Sequence, residues 1–154
     1  METLEDAFNC DKALVFGIGG SGDIVGSIPT ARLLELHGLN VILGGVAWEP
    51  TPRDPKVGPR SLDEIQNIEM ISETVGLATG ETRTHDGVEF TESKVAAYYA
   101  ENTALIDITR GAEGTIQGLD EACDEMEIDL VVGTDSGGDI LAKGNEEGLR
   151  SPLA

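Results

Sequence analysis

The residues best suited to chemistry gather in two glycine-rich stretches. The first, Gly17-Ile18-Gly19-Gly20-Ser21-Gly22, has the spacing Gly-x-Gly-x-x-Gly, follows a short apolar run and leads straight into Asp23 and a helical pattern. Glycines there let the backbone turn tightly and come close to an anion, while the N-terminus of the following helix offers unpaired N–H groups with partial positive charge. The second stretch, Gly133 to Asp139, holds Asp135, Gly137, Gly138 and Asp139. Set against each other without gaps, VFGIGGSGDIVG (15–26) and VVGTDSGGDILA (131–142) coincide at Val15/Val131, Gly17/Gly133, Gly22/Gly138, Asp23/Asp139 and Ile24/Ile140. A duplicated half, two loops with one job, and coincidence between two strand-loop segments of biased composition all remain open.

What such loops hold depends on the side chains beside them. A dinucleotide enzyme of this type carries an acid about twenty residues beyond the glycines, at the end of the second strand, to hold a ribose. That register holds Ile42, and the next acid, Glu49, comes several residues late. Asp23 directly after the last glycine would repel a pyrophosphate, so the motif argues against NAD. A tight strand-to-helix turn with Asp23 as N-cap is the structural alternative. As carboxylates, Asp23, Asp135 and Asp139 suit either proton transfer or a hard cation such as magnesium. Arg60, Arg110 and Arg150 are the candidate bidentate donors for a phosphate or carboxylate, with pairing to a structural acid an equal expectation for each. No Ser/His/Asp or Cys/His pattern points to a covalent nucleophile. His37 and His85 fall near a helix end and in a turn, where capping and solvent roles are expected, and the sole tryptophan, Trp48, reads as a core or interface anchor.

The elements that must carry these residues follow from periodicity. Ala13 to Phe16 reads as a strand, Ile24 to Leu36 as a helix interrupted or delayed by Pro29, and Val41 to Val46 as a second strand after Gly38 and Asn40. That is a βαβ unit and implies parallel strands. Pro50, Pro52, Pro55, Gly58 and Pro59 make Ala47 to Arg60 an extended surface loop. Ser61 with Glu64 forms a capping-box pattern that predicts a helix with Leu62, Ile65 and Ile68 on one face. Asp86-Gly87 reads as a hairpin turn between short strands around Thr82 and Val88 to Phe90. Further on, the pattern predicts a helix over Glu92 to Glu101, a strand over Leu105 to Ile108, a helix over Gly114 to Met126 and a strand over Asp129 to Val132. If the strands are parallel, both glycine loops, Glu49 and Arg110 converge on one sheet edge, with Arg60 and Arg150 joining from flanking loops. Ser151-Pro152 looks like the start of a helix that the chain does not supply. The expected fold is therefore an α/β, Rossmann-like open sheet, mainly parallel and flanked by helices, in a single domain truncated after its last strand.

Charge narrows the partners. In 154 residues, 29 Asp plus Glu face 10 Lys plus Arg, a formal net charge of -19. No basic stretch interleaved with aromatics appears, so a phosphate backbone would meet a like-charged surface, and nucleic acid is excluded as a partner. Apolar runs are too short to cross a membrane. Cys10 and Cys123 lack metal-ligand spacing, and the acidic start is no signal peptide, so the cytoplasm is the expected compartment. Self-repulsion of this size calls for screening; at 1 M salt the Debye length falls to about 3 Å, which makes a halophilic protein the natural reading.

The strings KALVFGIGGSGDIVGSIPTARLLE, VILGGVAWEP, GPRSLDEI, DITRGAEG and GTDSGGDILAKGNEEGLRSPLA together resemble the archaeal family called domain of unknown function 1152, in a halophile's version. The resemblance spans essentially the whole chain. It implies a Rossmann-like fold in a protein longer than this one, and it carries no reaction to transfer. The residues themselves favour a small anionic ligand, a nucleotide or sugar phosphate, seated on Gly17, Gly19, Gly20, Ser21, Gly22 and Asp23 opposite the second turn. Two alternatives stay open: an oligomeric structural or regulatory protein whose glycine turns serve packing, and a lyase or cyclase acting on a carboxylate.

Overall fold

Four apolar runs become parallel neighbours in one sheet: β1 (Lys12–Gly17), β2 (Asn40–Val46), β5 (Thr103–Ile106) and β6 (Leu130–Thr134). Between β2 and β5 the chain adds β3 (Ile65–Met70) and β4 (Val75–Thr84), which pair antiparallel with each other and extend the sheet beyond β5. The resulting order is β3-β4-β5-β2-β1-β6. Helices α1 (Asp23–Leu36), α2 (Thr91–Tyr99) and α3 (Gly111–Met126) flank it. The computed structural model describes residues 8–136. The mainly parallel, open, Rossmann-like α/β architecture expected from the sequence is the one observed.

Alternation along β1 explains the layering. Ala13 and Val15 face α1 and pack with Ala31, Leu34, Leu39 and Leu130, whereas Leu14 faces α3 with Ala104, Ile106, Ala122 and Met126. Consecutive strand residues point to opposite faces, so a short run apolar on both sides belongs in a sheet covered on both sides. A third cluster, with Leu62, Ile65, Ala78, Phe90 and Leu105, anchors the antiparallel part. β1 lies where the winding reverses, with β2 reached through α1 on one side and β6 reached through α3 on the other. Open sheets of this kind bind ligands at the carboxyl edge beside such a reversal.

Several local expectations change. The capping box at Ser61 is formed, with Glu64 accepting from the Ser61 N–H, yet it caps only one 3-10 turn, Leu62–Glu64, before β3 begins. Ile65 and Ile68 lie three apart as on a helix, but an irregularity between Gln66 and Ile68, with Asn67 at φ 57°, lets a strand bring Ile68 to the core that Ile65 also joins. The irregular stretch after Glu69 contains the ten-residue β4, followed by the Asp86-Gly87 turn with a bridge between Arg83 and Glu89. α1 runs through Pro29. Val25, four residues earlier, is about half exposed, so its carbonyl lies on the side where water can satisfy it. The helical reading of Ser151-Pro152 lies outside the described residues.

Candidate functional site

The loops after β1, β2, β5 and β6 meet at the carboxyl edge, as parallel pairing requires. In the first, Gly20 and Ser21 have φ of 73° and 49°, so two successive residues take the left-handed conformation. Gly20 needs its bare Cα for a second reason, since an added Cβ would lie 3.1 Å from the Trp48 Cβ and carbonyl oxygen. Ser21 holds its conformation through its N–H, which donates to the Trp48 carbonyl at 3.0 Å, and its hydroxyl, which donates to Glu49 at 2.9 Å. The glycine loop is thus fastened to the residues that follow β2.

Asp23 is the first residue of α1, with Gly22 at the cap position, rather than the N-cap itself. Its carboxylate reaches back to accept from the Gly19 N–H at 2.9 Å and meets the Ser136 hydroxyl at 3.3 Å. The N–H groups of Asp23, Val25 and Gly26 find carbonyls at Gly20 and Gly22. Several of the amides that would cradle a phosphate in a dinucleotide fold, those of Gly19, Ser21 and Asp23, are here bound to protein acceptors. Below it, the Ser27 and Thr134 hydroxyls, 2.5 Å apart, tie α1 to the end of β6.

Glu49 is the hub of the second loop. Only 1% exposed, it accepts from the Ser21 hydroxyl, from the Thr91 N–H and hydroxyl at 2.5 and 2.7 Å, and from Arg53 at 3.0 Å. One carboxylate therefore joins the glycine loop, the proline-rich loop and the first turn of α2. Arg53 follows a turn closed by its N–H on the Pro50 carbonyl, and its Nη1 also approaches the Ser21 and Thr91 hydroxyls at 3.3 and 3.0 Å. Half of its side chain (51%) stays exposed, facing a hollow shared with Asp86, Glu89 and Lys94.

Glu92, the next residue along α2, is fully buried, and neither carboxyl oxygen has a hydrogen-bond partner. Burial, reinforced by the negative charges of Glu49 and Asp23, raises its pKa well above the carboxylate range. Its side chain lies on Gly45, where an added Cβ would come within 1.9 Å of Oε1. Gly17 is the register partner of Gly45 and lies under the start of α1, where an added Cβ would come 2.5 Å from the Asp23 backbone carbon and Cβ. Two adjacent glycines thus form a bare floor for two acids.

The other predicted residues go elsewhere. Arg60 is buried and held bidentate by Asp54 at 2.7 Å, with Glu64 at 2.8 Å and Asp86 at 3.1 Å, and these hydrogen bonds raise its pKa. It closes the proline-rich loop. Arg110, at the start of α3, pairs with the exposed Glu73 at 2.5 Å. Asp135 is half-buried just past β6, while Gly137, Gly138, Asp139 and Arg150 lie outside the described residues. No group of three or more His, Cys, Asp or Glu able to hold a metal occurs among the described residues. The sequence reading missed Arg53, Thr91 and Glu92; the only signal was the spacing of Glu49 and Arg53, four apart in a loop rich in proline.

On the α3 face, an apolar cleft of about 490 Å³ opens at this edge, lined by Phe16, Ile18, Ile106, Ile108, Ile116 and Leu119 among others. No described helix is long and apolar enough to cross a membrane. Comparison with curated proteins and with solved structures finds no match. A family model described as a protein of unknown function, DUF1152, matches residues 14–154, and the chain therefore belongs to the DUF1152 family.

Proposed function

We propose that the chain binds a small anionic molecule, such as a nucleotide or sugar phosphate, across the carboxyl ends of β1 and β2. The observation that carries this reading is Arg53: in a chain of net charge -19, it is, among the described residues, the arginine that reaches the glycine loop, and half of it remains open to solvent. A guanidinium fixed on one side by Glu49, Ser21 and Thr91 is oriented without extra ordering cost and keeps further N–H donors for a ligand. Lys94 adds a second cation to the same hollow. The apolar cleft on the other side of the edge suits an uncharged ring on the same ligand. Packing accounts for Gly17, Gly20 and Gly45, whose missing side chains make room for Asp23, Trp48 and Glu92. Arg53 neutralises the buried Glu49, yet half of its side chain stays exposed beyond what that pairing uses. The charge also fits a protein of a salt-rich cytoplasm, where screening leaves a short-range arginine contact intact.

Thermal melting of the chain in high salt with inorganic phosphate, mononucleotides or sugar phosphates tests the reading. A ligand that binds only the folded state raises Tm with concentration. Arg53→Gln should abolish that rise. Failure of every probe to move Tm, or a rise that survives in Arg53→Gln, would overturn it.

A further inference from the structure

The Glu92 carboxyl is the buried group that ligand binding leaves unused, and its surroundings give it a different task. It leaves the first turn of α2 and ends on Gly45, fully enclosed, with no donor or acceptor for either oxygen. Among the described residues, the charged groups facing it are acidic: Glu49 from the loop after β2 and Asp23 from the first turn of α1. β2 presents Gly45, and β5 contributes the Thr103 hydroxyl, which donates to the Glu92 backbone carbonyl instead. From β4, the buried side chains on the side of α2 are Ala78, Thr82 and Thr84, all neutral. Arg53 meets Glu49 rather than Glu92. A neutral carboxylic acid can occupy this place; an ionised one would stand unpaired beside two further negative charges.

We propose that Glu92 is a proton-operated latch: protonated, it seats the first turn of α2 on Gly45, and ionised, it lifts that turn and loosens the glycine loop. The mechanical link is Glu49, which accepts the N–H of Thr91, the neighbour of Glu92, and the hydroxyl of Ser21 in the loop. If the turn moves, the Thr91 bonds to Glu49 go, and the carboxylate that anchors Ser21 loses its fixed position. The step is a simple acid dissociation, with the proton passing to solvent. It concerns the loop itself and holds whether or not an anion binds there, so its failure and the failure of the ligand reading are separate results.

Two backbone amides report the latch directly: Thr91, which donates to Glu49, and Ser21, which donates to the Trp48 carbonyl. Hydrogen exchange is followed by NMR in high salt between about pH 5 and about pH 9, and each rate is divided by that of an unstructured chain. Opening that requires loss of one proton makes protection at both amides fall about tenfold per pH unit. In Glu92→Gln, which is isosteric and cannot ionise, protection should stay level. Flat protection in the unaltered protein, or an equal slope in Glu92→Gln, overturns the proposal. Should the variant not fold, carbon NMR of labelled glutamate carboxyls in the unaltered protein decides. One carboxyl that stays neutral above the ordinary carboxylate range, ionising together with the loss of protection, supports the latch; titration of every glutamate in that range defeats it.

Discussion

Glu92 and Gly45 form a pair in which each residue type explains the other. A methyl group at position 45 would stand 1.9 Å from one carboxyl oxygen and 2.8 Å from the carboxyl carbon, and a fully buried side chain has nowhere to retreat. Gly45→Ala is expected to destabilise the fold by about 1–3 kcal/mol, the usual effect of overpacking. Most of that loss should vanish in a Glu92→Ala background, because the obstructing carboxyl is gone, and chemical denaturation of the two single variants and the double variant measures the coupling. Equal losses in both backgrounds would mean that some other contact excludes the methyl. The pH dependence has a definite sign. Because the folded-state pKa of Glu92 is raised, the folded protein holds a proton that the unfolded chain gives up near pH 4.5. Stability should therefore fall as pH rises from that point towards the folded-state value, and Glu92→Gln should flatten this limb of a denaturation-against-pH curve. Little of this was legible in the sequence. Glu92 at a helix start looks like an ordinary helix-dipole acid, and only three-dimensional pairing of Gly17 with Gly45 shows that the acid points inward. The glycine motif and Asp23, by contrast, were correctly placed at a strand-to-helix turn, since both depend on local order alone.

Among the elements, the proline-rich loop shows how composition becomes architecture. Its ends meet where the Arg60 N–H donates to the Ala47 carbonyl at 2.7 Å, and its interior is filled by Arg60 with Asp54, a pair almost without solvent exposure. Removing one partner of a buried ion pair leaves the other uncompensated, at a cost of about 3–5 kcal/mol. Arg60→Ala should reach that range in chemical denaturation, and Arg60→Lys should recover only part of it, because an ammonium cannot reproduce the two parallel bonds to Asp54. A loss within experimental error for Arg60→Ala would refute the structural role. The same knot gives the acid limb. Lys56, then Arg60 and the Ser61 N–H, lower the Glu64 pKa from 4.5 to about 2, so this part of the stability is present above pH 4.5 and is lost as pH falls towards 2. The sequence announced the loop through its prolines but offered Arg60 as a ligand donor, since an arginine in an acidic chain has no visible partner until the fold supplies one. Helix α3 was legible through its period, and strands β1, β2 and β6 as short apolar runs bounded by turn residues. β3 was not, because Leu62, Ile65 and Ile68 match a helical spacing that the break at Asn67 converts into a strand.

For the whole molecule the governing quantity is the charge of -19. Local networks offset part of the charge, as Arg60 does among Asp54, Glu64 and Asp86, but 10 basic residues cannot balance 29 acidic ones. Among the described residues most acids lie on the surface, where repulsion opposes the compact state and added ions weaken it. Stability should accordingly rise as potassium chloride is added up to the molar range, where the Debye length is about 3 Å and most exposed like charges no longer interact. The buried Arg60–Asp54 pair is screened far less, so its effect on stability should change little over the same range. Thermal melting of the unaltered protein and of Arg60→Ala across a salt series separates the two: both curves should climb, and their spacing should stay nearly constant. A flat or falling melting temperature for the unaltered protein would rule out surface repulsion as the main electrostatic influence on stability. If the curves instead converge at high salt, the Arg60 network behaves as a surface feature, which is inconsistent with a guanidinium only 6% exposed and an aspartate wholly enclosed.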